Sequence, residues 1–183
     1  MIERSHQSDG ILSRALYSPC ERYRYGLERR WSDGRLLLYV MLNPSTADEL
    51  RNDPTIERCQ RRAVQLGFGA LRIANLFAWR ATRPEDLRRT DAPVGKDNDA
   101  LLLDWHCSAD MTLAAWGVHG AHMGRGPQMT QTLPGPLHHL GLTQGGHPRH
   151  PLYVPYATRP VPWELPVDGN NSINCAPPAL ARS

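Results

Sequence analysis

An unbroken apolar run, Leu36 to Leu42, stops at Asn43-Pro44 and gives way to Ser45-Thr46-Ala47-Asp48. No other feature restricts the possible folds as much. Seven apolar residues without alternation describe a strand covered on both faces, as found inside a parallel sheet. Pro44 has no N–H with which to extend a ladder, so the strand ends there. Asn43 then stands at the carboxyl end of a central strand, where open α/β sheets place their ligand sites.

The flanking segments fit that frame. Tyr23 to Trp31 has β character, and the turn residues Ser32-Asp33-Gly34 follow it. Together with 36–42 they suggest a hairpin that sets an antiparallel strand beside the central one. Downstream, Asp53-Pro54 has the form of a helix cap followed by proline at the first helical position. Ile56, Cys59, Ala63 and Leu66 then recur at helical spacing, and Gly67 and Gly69 close the helix. Leu71 to Trp79 reads as a second buried strand, so that strand, helix and strand form a right-handed parallel unit. A short helix or turn at 84–87, a helix over 97–106 and a third strand over 111–117 follow. Residues 118–136 read as a flexible loop with one helical turn near 128–133. The expectation is an α/β fold of three layers, α/β/α, around a central, mainly parallel sheet. It forms a single domain over residues 1–167, with residues 1–10 loose and residues 168–183 a disordered tail.

Composition narrows the function classes. The 183 residues suffice for one core. No apolar stretch approaches the roughly 20 residues of a membrane span, and the first ten residues have no signal-peptide core. These observations lead to a cytoplasmic protein without a membrane partner. A net charge of +3 is too small to establish a polyanionic partner. Lys96 is the only lysine, so the positive charge is almost all arginine, which suits bidentate phosphate contacts and equally a genome biased to arginine codons. The four cysteines form no CxxC pair, which argues against zinc and leaves them as ordinary thiols. His119, His122, His138 and His139 lack a coherent ligand set, so they read as loop histidines and no metal or other cofactor is expected.

Four short motifs, in order over about residues 36–155, resemble the uracil-DNA glycosylase superfamily. Leu42-Asn43-Pro44-Ser45 is similar to its first motif, whose mismatch-specific form is Gly-Ile-Asn-Pro-Gly. Ile73-Ala74-Asn75 followed by Arg80 resembles the strand carrying a base-reading Asn, in one branch Ile-Thr-Asn followed by Lys-Cys-Arg. Ala115-Trp116-Gly117 stands where that superfamily has Leu-Trp-Gly. His147 to Tyr153, HPRHPLY, resembles its closing His-Pro-Ser-Pro-Leu-Ser loop. The LNPSTAD, DPT, NLFAWRAT and HPLY segments also look like a little-characterised bacterial and phage family. Two departures qualify the likeness. Trp79 occupies the place of the iron–sulfur Cys, so no cluster is expected. Asn43 stands where the most efficient uracil enzymes place Asp, which counts against efficient removal of plain uracil.

The resemblance implies hydrolysis of an N-glycosidic bond, which needs stabilisation of an oxocarbenium-like sugar and of the departing base anion. His150, or alternatively His147, would stabilise charge at a pyrimidine O2; His150 is favoured because it directly precedes Pro151-Leu152. Asn43 would orient the attacking water, with Asp48 or Asp53 as the nearby carboxylate, although Asp53 reads more readily as a helix cap. Asn75 would read the flipped base. Its amide matches the N3–H and O4 edge of uracil or thymine and, rotated, the N3 and N4 edge of cytosine. Phe77, Phe68 and Tyr153 are the candidate stacking rings. Arg80, Arg83 and Arg149 would meet DNA phosphates, and Leu152 would act as a wedge; surface solvation and core burial are the plainer alternatives. With a single lysine, a Schiff-base lyase step is not expected. The reading is a monomeric, monofunctional DNA glycosylase acting on a modified or damaged pyrimidine, in repair or in defence against modified phage DNA. A hydrolase of free nucleotides or nucleosides, and a non-catalytic nucleic-acid binder, are the alternatives.

Overall fold

The computed structural model describes residues 1–164, so the expected tail at 168–183 lies outside the described residues. The chain forms a mixed α/β structure around one eight-stranded sheet. The strands are β1 (Ile2–Ser8), β2 (Ile11–Tyr17), β3 (Arg24–Arg30), β4 (Leu36–Met41), β5 (Ala70–Asn75), β6 (Met111–Ala114), β7 (Leu137–His139) and β8 (Val161–Pro162). Their order across the sheet is β1-β2-β3-β5-β4-β6-β7-β8. The centre, β5-β4-β6-β7, is parallel, and both margins are antiparallel. The expectation of a mainly parallel sheet therefore holds for the centre and not for the whole.

The apolar run is central as read. Leu37, Tyr39 and Met41 enter one apolar cluster and Leu38, Val40 and Leu42 the other, as alternation across a strand requires. The hairpin expectation is corrected. β3 pairs with β5, not with β4, because residues 31–35 wrap the start of β5: the N–H groups of Trp31 and Ser32 donate to the Gly69 carbonyl, and the Gly69 N–H to that of Arg35. The amino terminus is also not loose. Residues 2–17 form a hairpin through Asp9-Gly10, both at positive φ (52° and 75°), the signature of a two-residue turn matched to strand twist.

The described residues also form four α-helices, α1 (Pro54–Gln65), α2 (Pro84–Arg88), α3 (Asn98–Ser108) and α4 (Arg125–Thr132), and two 3-10 helices, Val118–Gly124 and Pro151–Tyr153. Asp53 caps α1 as read, accepting from the N–H groups of Thr55 and Ile56 at 3.0 and 2.9 Å. Ile56, Cys59 and Ala63 of α1 join Leu37, Tyr39 and Ile73 in the first cluster. Leu102 and Trp105 of α3 and Met129 of α4 join Leu38, Val40 and Ala74 in the second. Gly26 of β3 is required there, since a Cβ on it would lie 2.3 Å from the Trp105 ring. Cys20 and Cys59 carry free thiols. Among the described residues, no helix is long and apolar enough to cross a membrane.

Candidate functional site

β4, β5 and β6 end together, and their carboxyl ends open into a cavity of about 840 Å³. β4 delivers Met41 and then Asn43, β5 delivers Ile73 and Asn75, and β6 is followed by Trp116-Gly117. The first turn of α1 and the loop carrying Arg149 to Tyr153 complete the wall.

Asn43 is held by its amide nitrogen. Nδ2 donates to the carbonyls of Ala81 at 2.7 Å and Pro44 at 3.0 Å. Both bonds fix the side chain and leave Oδ1 as its acceptor. Asn75 is only 1% exposed, and its Nδ2 is buried without a hydrogen-bond partner in the described structure. A buried, unpaired amide donor costs on the order of 1–3 kcal/mol, and this one belongs to a residue on the cavity wall.

His150 lines the cavity, whereas His147 does not. The Leu152 N–H donates to His150 Nδ1 at 3.4 Å. A ring nitrogen that accepts carries no proton, so the neutral ring has its N–H at Nε2. Burial lowers the imidazole pKa from its ordinary value, opposed by the attraction of Asp53, so the neutral form is favoured. The loop that carries it is clamped from two sides. The Gly117 N–H donates to the Pro148 carbonyl at 2.9 Å. Arg58 donates to the carbonyls of Pro151 and Val154, and Arg62 to those of Val154, Pro155, Tyr156 and Thr158. Gly117 sits at φ 69°, with its missing Cβ position 3.8 Å from that of His150, so the Trp-Gly pair closes β6 and seats this loop.

Arg149, Leu152 and Tyr153 also line the cavity. Tyr153 is 81% exposed, with its ring centroid 6.1 Å from that of His150. The other expected residues stand elsewhere. Phe77 is fully buried in the second cluster with its ring 5.4 Å from His122, so it is core and not a base contact. Phe68 belongs to the first cluster, beneath the Arg35 guanidinium. Arg80 and Arg83 are exposed outside the cavity, Arg80 over the Tyr17 ring and Arg83 at the start of α2. Asp48 also lies outside it. Its Oδ1 accepts from the N–H groups of Leu50 and Arg51, and its carbonyl from Arg29, so it shapes the loop after β4.

The carboxylate that does line the cavity is Asp53. Its cap bonds occupy Oδ1 alone, so capping and facing the cavity are compatible, and reading it as one or the other was too narrow. Arg24 was missed entirely. It opens β3, is 1% exposed, donates to the Ala47 carbonyl and lines the same cavity. An Arg in a polar stretch with a second Arg beside it, Glu21-Arg22-Tyr23-Arg24, carries no sequence signal of burial. Among the described residues, no group of three or more His, Cys, Asp or Glu is placed to hold a metal ion.

No curated protein and no solved structure matches the chain. One family model does, over residues 24–152, a stretch that begins at Arg24, ends at Leu152 and takes in every cavity residue except Tyr153. It covers well over half of the sequence, and the chain therefore belongs to the family described as protein of unknown function (DUF1643).

Proposed function

We propose that this protein is a monofunctional DNA glycosylase that flips a modified or damaged pyrimidine into the cavity and hydrolyses its N-glycosidic bond. On this reading the fold is the three-layer, uracil-DNA glycosylase-like α/β/α arrangement, and the protein acts in the cytoplasm as a monomer. The observation that carries the reading is the convergence of three side chains in one cavity: Asn75 with a buried unpaired donor, Asn43 with a fixed free acceptor, and neutral His150. Asn75 pairs with the edge of the base. Asn43 Oδ1 accepts from a water whose oxygen bonds to C1′ as the C1′–N1 bond breaks. The base leaves with the bonding electron pair, and the Nε2–H of His150 stabilises that charge at O2. The water's proton passes by way of Asp53 or solvent, and the products are a free base and an abasic site. Asp53 takes the part first considered for Asp48, because it is the carboxylate on the cavity wall. Lys96 is exposed and lines a different cleft, which supports a hydrolase over a Schiff-base lyase.

The test is base release from oligonucleotides bearing uracil, mismatched thymine or oxidised pyrimidines, and from phage DNA with hydroxymethylated or glycosylated cytosine. Abasic sites are scored by alkaline cleavage and released bases by mass spectrometry. Release abolished by Asn43→Ala supports the reading; no release across the panel from folded protein overturns it.

A further inference from the structure

Four arginines are buried to 4% exposure or less: Arg24, Arg29, Arg62 and Arg125. The fold accounts for three of them. Arg62 donates to four carbonyls of the 154–158 loop. Arg29 meets the side-chain oxygen of Asn52 and the carbonyls of Glu28, Asp48 and Arg51. Arg125 meets the Asp99 carboxylate and the Leu76 carbonyl.

Arg24 is different. Its guanidinium has the Ala47 carbonyl as acceptor, its Nε is buried without a partner, and no carboxylate among the described residues lies within ion-pair distance. Arg62 shares the unpaired Nε but has its four carbonyls. Burial outweighs the pull of nearby groups, Asp53 among them, and pushes the Arg24 pKa down to about 10. The group stays charged at neutral pH, and where Arg29 and Arg62, also without an ion pair, each meet four acceptors, Arg24 meets the Ala47 carbonyl. An isolated buried charge is unfavourable unless a counter-charge and hydrogen bonds are supplied. Of the four, Arg24 is also the one on the cavity wall.

The surroundings suit an anion. Ser45, Thr46 and Thr55, which carry hydroxyls, line the same cavity, as does the amino-terminal turn of the twelve-residue helix α1, whose dipole favours negative charge. Arg149 adds a second cation on the wall. The carboxylate of Asp53 opposes an anion, but one of its oxygens is already engaged by two backbone N–H groups.

We propose that Arg24 is the cationic centre of an oxyanion subsite that takes a phosphate group of the nucleotide bound in the cavity. The proposal rests on the glycosylase reading for the identity of that nucleotide, but phosphate binding itself requires no turnover. The phosphate is either a backbone diester beside a flipped nucleotide or the monoester of a free nucleotide.

The experiment is calorimetric titration of the full chain with dUMP, dCMP, their nucleosides and single-stranded trinucleotides, with inorganic phosphate as competitor. The expected result is binding of the phosphate-bearing ligands at least about tenfold tighter than the nucleosides. That advantage should be lost in Arg24→Met, partly kept in Arg24→Lys, and competed away by inorganic phosphate. Equal binding of nucleotide and nucleoside by the unaltered protein, or no phosphate-dependent binding at all, overturns the proposal whether or not base release is seen. A trinucleotide preferred over the mononucleotides assigns the subsite to the DNA backbone. The reverse preference keeps the subsite and, together with silence on the oligonucleotide panel, removes the glycosylase reading.

Discussion

Two buried polar residues on each face of the sheet are held in opposite ways. Against α3 and α4, Arg125 is closed off by Asp99, Gln128 and the Leu76 carbonyl. On the same side, His106 is bonded at both ring nitrogens, to Thr112 and to the Pro134 carbonyl. On the α1 side, Asn75 Nδ2 and Arg24 Nε are buried as deeply, but they are unpaired and belong to residues that line a cavity. A buried polar group satisfied within the chain fixes architecture. One left unsatisfied at a cavity wall is available to a ligand. The comparison breaks if substitutions on the two faces have the same consequences.

The largest expected effect is on the open face. His150→Ala should lower the rate of base release by about 10²–10³, the range for losing one donor to a developing anion. Its stability should fall by no more than about 1.5 kcal/mol, since the protein loses a single long hydrogen bond from Leu152. Asn43→Ala should abolish base release at a larger cost in stability, about 1–3 kcal/mol, since the Ala81 and Pro44 carbonyls each lose a donor. The measurement is single-turnover base release beside a urea denaturation curve, and a large stability loss with unchanged rate would place both residues with the scaffold.

Asp53 and Asp48 sharpen the comparison within one loop. Asn caps a helix about as well as Asp, so Asp53→Asn should leave the denaturation midpoint nearly unchanged. Its rate should nevertheless fall by about 10², because the cavity loses its carboxylate. Asp48→Asn should leave the rate alone, its carboxylate being engaged with Leu50 and Arg51 N–H groups outside the cavity. Equal rates for the two variants would remove Asp53 from the chemistry.

On the closed face, Arg125→Met should cost roughly 2–3 kcal/mol of stability, since the buried Leu76 carbonyl loses two bonds and Asp99 loses its ion pair. Base release per folded molecule should not change. Arg24→Met should cost less stability, because that guanidinium has fewer partners to lose. A larger midpoint shift for Arg24→Met than for Arg125→Met, measured in urea, would reverse the assignment of the two faces.

How much of this was legible depended on whether the signal was local. The central strand, the Asp53-Pro54 cap and the corner at Asn43 are written in contiguous residues, and the structure has them where the sequence indicated. The strand order was not legible, because nothing in Trp31 to Arg35 shows that this segment passes around β5 instead of turning back. The Asp9-Gly10 turn was legible and was passed over, because β1 is polar and almost fully exposed and so lacks the apolar alternation that flags a strand. In the site, Asn43, Asn75 and His150 follow from strand ends and from the motif likeness. Phe77 was misplaced because an aromatic residue two positions beyond a strand end can face either side. Arg24 could be found only in three dimensions, since its guanidinium meets the carbonyl of Ala47, 23 residues away in the chain.

The smallest expected effect is the dependence on pH, and it too divides the faces. Burial lowers the pKa of His150, His106 and His139 below the ordinary 6.5, so the folded state prefers all three neutral. Above about pH 6.5 they are neutral in both states and their contribution to stability is fully present. As the pH falls, the unfolded chain binds protons first, and that contribution is lost as the pH passes through the lowered folded values. The thermal midpoint should therefore decline below pH 6.5. His106→Gln should flatten the decline by removing a closed-face group that resists protonation. At His150 the same titration should also appear in the chemistry. If the neutral ring is the working form, base release holds to below pH 6.5 and then falls along an acid limb that is absent from His150→Gln. A rate that climbs toward acid would instead make the imidazolium the catalyst, and the burial of His150 would then oppose its function.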